Sequence, residues 1–266
     1  MSMFRETVAG TELLRRRGFG GGLPLVLLHG IGSDAETWAP LIQALDPAID
    51  VLAWDAPGYG ASAAVAPEFP MPDDYAARLG AVLDALALPR VVLAGHSLGS
   101  LFAARFALQQ QARVARLALM APALGYGVRP GEALPPAVQA RIDDLAALGP
   151  AAFAAKRAAR LVHGDNPLVL AGVQRAMAAV NIAGYTQAVR ALGAGTLLAD
   201  AAALTQTTLV AVGAEDVVAP PANARALHAA LRHALPLRLV PATGHALPQE
   251  APALVAMMLA ELTHGG

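Results

Sequence analysis

The sequence predicts an α/β protein, a mainly parallel eight-stranded sheet with helices on both faces and a helical insertion late in the chain. Three observations carry this. Apolar runs without polar alternation fill residues 24–28 and 91–94 and the last four residues, 51–54, of a strand at 49–54, as expected of strands buried on both faces of a parallel sheet. Helical patterns alternate with these runs, which is the mark of β-α-β connections. The alternation then stops between residues 123 and 204, where no convincing strand occurs, and resumes afterwards.

The elements follow in order. Residues 4–8 and 11–17, joined at Ala9-Gly10, read as a hairpin. Arg15, Arg16 and Arg17 suit a solvated edge strand, because charge there discourages pairing with other chains. The buried strand 24–28 ends at His29-Gly30-Ile31-Gly32, and Ser33-Asp34-Ala35-Glu36 has the spacing of a capping box. Strand 49–54 runs into the turn Asp55-Ala56-Pro57-Gly58-Tyr59-Gly60-Ala61-Ser62, and Asp73 or Asp74 opens the next helix. Strand 90–94 leads to Ser97, and a further strand covers 114–120. Helical stretches at 136–148, 151–162, 167–180 and 183–192 are separated by Gly and Pro. Strand 207–212, helix 222–233, strand 237–240 and helix 251–262 close the pattern. This arrangement predicts a core of residues 1–122 and 205–266 with a helical cap of residues 123–204, placed where α/β sheets bind ligands.

Composition bounds the function. The chain has 266 residues, 56% of them hydrophobic and 15% charged, enough for a sizeable core. A net charge of −1 gives no electrostatic case for nucleic acid or an anionic membrane. There is no cysteine, no His-Glu-x-x-His and no Gly-x-Gly-x-x-Gly at a strand-to-helix turn, so no metal or organic cofactor is expected. The first residues lack the apolar stretch of a signal peptide, and no long apolar run reads as a membrane span, so a cytoplasmic protein acting on a small molecule is expected.

The chemistry centres on Gly95-His96-Ser97-Leu98-Gly99, preceded by four apolar residues and followed by a helical run. A strand, a sharp turn and a helix would raise Ser97 on a strained backbone, with glycines where a side chain would strike the neighbouring elements. A serine hydroxyl is a weak nucleophile and needs a base, itself oriented by a third group. Two late loops offer both: Gly213-Ala214-Glu215-Asp216 after one strand and Gly244-His245 after the next. The order Ser97, Asp216, His245 suits this fold. Glu215 competes with Asp216, which the three-residue step from Gly213 favours. His29 and His96 read as structural or pocket-lining, and His163, His228, His233 and His264 have no evident partner in the sequence.

Taken in order, His29-Gly30-Ile31-Gly32, the turn at 55–62, Gly95 to Gly99, Gly213 to Asp216 and Gly244-His245 resemble the markers of the lid-bearing α/β-hydrolase superfamily. The His-Gly-Ile-Gly form is locally similar to that of enol-lactonases. Ser100 departs from the second glycine of many relatives, and Ala121-Pro122 excludes the acid that some relatives carry after the earlier strand. The resemblance implies a serine hydrolase cleaving an ester or lactone through an acyl-serine intermediate, with Ser97, Asp216 and His245 catalytic and the amides of Ile31 and Leu98 forming an oxyanion hole. Cleavage of a carbon–carbon bond in a ring-cleavage product, or of an amide, is the alternative. Many Ala and Leu in the insertion suggest a mostly apolar pocket roof. Lys156, Arg160 and His163 share a helix face, which fits either a solvated basic surface or, through Arg160, a substrate carboxylate.

Overall fold

The computed structural model describes residues 2–263. Eight strands form one sheet in the order β1-β2-β4-β3-β5-β6-β7-β8. They are β1 (Phe4–Val8), β2 (Thr11–Arg16), β3 (Leu25–Leu28), β4 (Val51–Trp54), β5 (Val91–His96), β6 (Val114–Met120), β7 (Thr207–Gly213) and β8 (Arg238–Val240). β2 pairs antiparallel with β1 and β4, and every pairing from β4 to β8 is parallel.

The apolar runs are continuous because each strand faces two cores. Val26 and Leu28 of β3, Leu52 and Trp54 of β4, and Val91 and Leu93 of β5 enter one core. Their neighbours Leu25, Leu27, Val51, Ala53, Val92 and Ala94 enter the other. This is the two-residue period of a strand with apolar packing on both sides. The second core is closed by α1 (Ala39–Ala44) and, at the end of the chain, by α10 (Pro252–Thr263). The first is closed by α2 (Pro72–Ala85) and α3 (Leu98–Gln109), where Phe102 stacks on Tyr75 with ring centroids 4.1 Å apart.

Between β6 and β7 lie α4 (Pro136–Arg157), a 3-10 turn (Ala158–Leu161), α5 (Pro167–Ala178), α6 (Ile182–Ala194) and α7 (Leu197–Ala201). The sequence separates two helices at residues 148 and 151. In α4 they are two segments meeting at Gly149, whose φ of 70° is not helical, followed by Pro150. After β7 come α8 (Pro221–Ala230) and the short α9 (Leu247–Glu250). Among the described residues no single helix is long and apolar enough to cross a membrane; only α5 and α6 together reach that length and composition, and they meet at 103°.

Two local expectations are corrected. Arg15 and Arg16 are not a solvated edge: they are 6% and 5% exposed, because β1 covers the outer side of β2. Arg15 pairs with Glu6 at 2.8 Å and Asp50 at 3.0 Å. Arg16 donates to the carbonyls of Ile42, Leu45, Asp46 and Ile49, filling the acceptors left open where α1 ends. The helical cap at residues 33–36 begins one residue later than the spacing suggests. Asp34 accepts from the Thr37 amide at 3.1 Å, while Glu36 pairs with Arg5 instead of folding back.

Candidate active site

Ser97 sits between β5 and α3 at φ 53°, ψ −115°. A non-glycine residue in that region is strained by about 1–3 kcal/mol, which the surroundings must impose. They do so by close approach. A Cβ on Gly95 would strike the Gly99 carbonyl, and one on Gly99 would strike the Leu28 carbonyl at the end of β3. Ser100, the departure from the second glycine, is fully buried and donates its hydroxyl to the Gly95 carbonyl at 3.0 Å, bridging the turn.

The loops after β7 and β8 bring Asp216 and His245 to the serine. His245 Nδ1 lies 2.8 Å from Asp216 Oδ2, and His245 Nε2 lies 3.1 Å from Ser97 Oγ. All three residues are buried, at 6% exposure or less. Burial works to raise the Asp216 pKa, but the hydrogen bond and charge of His245, with the amides of Ala219 and Val218, hold the carboxylate below its ordinary value. Those amides donate to Asp216 Oδ1 at 2.8 and 2.7 Å, leaving Oδ2 for the imidazole. Glu215 is exposed and makes no such contact.

The His245 loop is fixed from two further sides that the sequence did not announce. His96 Nε2 lies 2.7 Å from the His245 carbonyl, an acceptor, so the imidazole donates there. Burial, then the neighbouring His245, pushes the His96 pKa down to about 3, which keeps that ring neutral. Glu250 accepts from the Gly244 amide at 3.1 Å and the His163 amide at 2.8 Å, while the Ala246 amide donates to the Leu161 carbonyl. The spacing of Gly244 and Glu250 could have signalled this loop closure.

The strand-end loop 29–32 forms the opposite wall. Gly30 lies against Ser97, where a Cβ would come within 2.9 Å of the serine Cβ. His29 Nδ1 meets the Gly30 carbonyl at 2.7 Å, and its Nε2 accepts from the Ala56 amide at 2.9 Å. One nitrogen must therefore donate and the other accept, so His29 is neutral; burial lowers its pKa accordingly. Asp55 stabilises the turn, accepting from the Ala35 amide and from Arg5. The amides of Ile31 and Leu98 donate to no protein acceptor among the described residues, and Leu98 opens α3, whose first amides lack intrahelical partners.

Ser97, His245, Ile31 and Leu98 line a cavity of about 390 Å³ whose other walls include Met177, Tyr185, Arg141, Arg157 and Arg160. Arg160 lines the cavity and is also exposed to solvent. Residues 123–204 line it with Ala123, Leu124, Leu161, Met177 and Leu192, but also with the three arginines, which the Ala and Leu content does not suggest. Lys156 does not share the cavity; it pairs with Asp144 at 2.8 Å. His228 packs against the Leu235 carbonyl and lies remote from the cavity lining, and His264 lies outside the described residues. Among the described residues no group of three or more His, Cys, Asp or Glu is placed to hold a metal ion.

The mainly parallel sheet thus carries serine, aspartate and histidine on three strand-end loops. The chain belongs to the alpha/beta hydrolase family, whose model matches residues 25–257. Over 96 residues it is 38% identical to a pimeloyl-[acyl-carrier protein] methyl ester esterase of Legionella pneumophila, covering 36% of each chain. Over 103 residues it is 38% identical to the (E)-2-((N-methylformamido)methylene)succinate hydrolase of Acinetobacter baylyi, covering 38% of each chain. The matched stretches thus span little more than a third of these relatives. The enol-lactonase of Burkholderia xenovorans superposes over 97% of this chain and 98% of its own, with a TM-score of 0.83 and 26% identity.

Proposed function

We propose that the protein is a serine hydrolase of small carboxylic esters or lactones, acting through an acyl-serine intermediate. Residues 123–204 act as a helical cap on a core of residues 1–122 and 205–266. The observation that carries this reading is the unbroken chain of contacts from Asp216 through His245 to Ser97, ending beside two free amides at the cavity wall. His245 Nε2 takes the Ser97 proton as Oγ attacks the carbonyl carbon. Asp216, held ionised, keeps the ring oriented and balances its charge. The amides of Ile31 and Leu98 receive the oxyanion, each contributing on the order of 3 kcal/mol. The imidazolium then protonates the leaving oxygen, and the acyl-serine is hydrolysed by a water that His245 deprotonates. The cavity volume of about 390 Å³ favours a small acyl group over a long chain. Arg160 binds a substrate carboxylate.

The test is a panel of simple esters, lactones and vinylogous diketones, with Ser97→Ala as the blank. Ester or lactone turnover, lost in Ser97→Ala with an unchanged melting temperature, is the expected result. Turnover confined to the diketones would replace it with carbon–carbon hydrolysis, and full activity in Ser97→Ala would remove Ser97 from the chemistry.

A further inference from the structure

The cavity has an uneven balance of charge. Arg141, Arg157 and Arg160 line it, and no aspartate or glutamate does. Only Arg157 has a carboxylate partner: Asp144 lies 3.3 Å from it and is shared with Lys156. Arg157 also lies over the Phe153 ring, its carbon 5.4 Å from the ring centroid, so its fork is already engaged. Arg141 stands beside the buried Tyr185 hydroxyl and has no carboxylate partner among the described residues. Arg160 has neither an ion pair nor a hydrogen bond among them. Arg157 feels the other two guanidinium groups: burial first, then repulsion from Arg141 and, less strongly, Arg160, lowers its pKa.

Two uncompensated guanidinium groups beside a small cavity make a site for negative charge. Arg160 lines the cavity from an exposed position and Arg141 is partly buried, so a single carboxylate on Arg160 would leave Arg141 unpaired. Arginine forks match carboxylates with two parallel hydrogen bonds. Tyr185, 2% exposed and lining the cavity, has its hydroxyl next to Arg141. A phenol pushed toward its neutral form by burial can donate to an anion there.

We propose that the cavity selects a small dianionic substrate, an ester or lactone carrying two carboxylates, with Arg160 and Arg141 each taking one and the Tyr185 hydroxyl donating to the carboxylate at Arg141. The ester or lactone bond rests on the proposed acyl transfer, whereas the anion site is testable without turnover. Arg141 and Tyr185 are then the specificity-determining pair, and Arg157 holds the roof together through Asp144 and Phe153.

Calorimetric titration separates the two claims. Succinate, glutarate and adipate are titrated into Ser97→Ala protein, which cannot turn over an ester by the proposed route, at constant ionic strength, each beside its monomethyl ester. At least one dicarboxylate should bind tenfold or more tightly than its monoester. Arg141→Gln and Arg160→Gln should each erase most of that advantage, Arg141→Lys should keep part of it, and Tyr185→Phe should reduce it a few-fold. Thermal melts of each variant check that the fold persists. Equal affinity for diacid and monoester, no binding of any diacid, or an advantage that survives in Arg141→Gln overturns the proposal. A protein that binds diacids but shows no Ser97-dependent hydrolysis of any ester loses the hydrolase reading and keeps the anion site; the opposite pattern loses the anion site alone.

Discussion

Ser97 is legible as a special residue because glycine on either side of it is a steric requirement that only one kind of turn imposes. Asp216 against Glu215 was a closer choice, and burial separates them. Asp216 is 3% exposed with both oxygens engaged, whereas Glu215 faces solvent. Replacing Asp216 by Asn keeps the shape but offers the imidazole an amide that favours the wrong tautomer. Asp216→Asn should therefore lower kcat by on the order of 10⁴-fold, while Glu215→Gln should change it by less than about tenfold. Steady-state rates on one ester decide it, and the reverse ranking would reassign the acid. Arg141 escaped the sequence reading although a signal was present. It sits between Val138 and Leu145, three residues from one and four from the other, and both are buried. A charged residue on the inward stripe of a helix needs a reason to be there, and the insertion was read by its Ala and Leu content instead.

At the scale of elements, strands were easier to place than the contacts between distant segments. Parallel strands announce themselves as apolar runs whatever their neighbours. The approach of α6 to the turn after β4 depends on two glycines far apart in sequence: a Cβ on Gly184 would meet the Gly58 carbonyl. Nothing local to either glycine marks that meeting. Asn181 starts α6 by accepting from the Ala183 and Gly184 amides, and Tyr185 follows directly. The contact thus fixes the side chain that lines the cavity. Gly184→Val should push α6 away from the turn, lowering stability by about 1–3 kcal/mol as overpacking does and raising KM more than it lowers kcat. Denaturant melts and a substrate titration read the two effects; an unaltered melt would mean that this approach is looser than the backbone distances imply. Arg175 adds a second tie, with two hydrogen bonds at 2.7 and 2.9 Å to Asp34, the residue that caps the turn beyond the Ile31 loop.

Across the whole molecule, a central strand, β5, carries Ser97 while β7 and β8, toward one edge, carry Asp216 and His245. All three side chains lie at the carboxyl ends of parallel strands, the end at which such sheets present ligand sites. That layout follows from the order of strands and helices and was readable in advance. Beyond Arg160, the charge of the cavity was not, because a net charge of −1 averages over the surface and says nothing about which other arginines line it. The central claim is that one hydroxyl, Ser97 Oγ, is activated by His245 to form a covalent bond with substrate. Intact-mass analysis after treatment with a small fluorophosphonate tests it most directly. The wild-type protein should gain a single phosphonyl adduct, mapped by peptide analysis to Ser97, and Ser97→Ala should gain none. An adduct at another residue, or equal labelling of Ser97→Ala, would contradict the account.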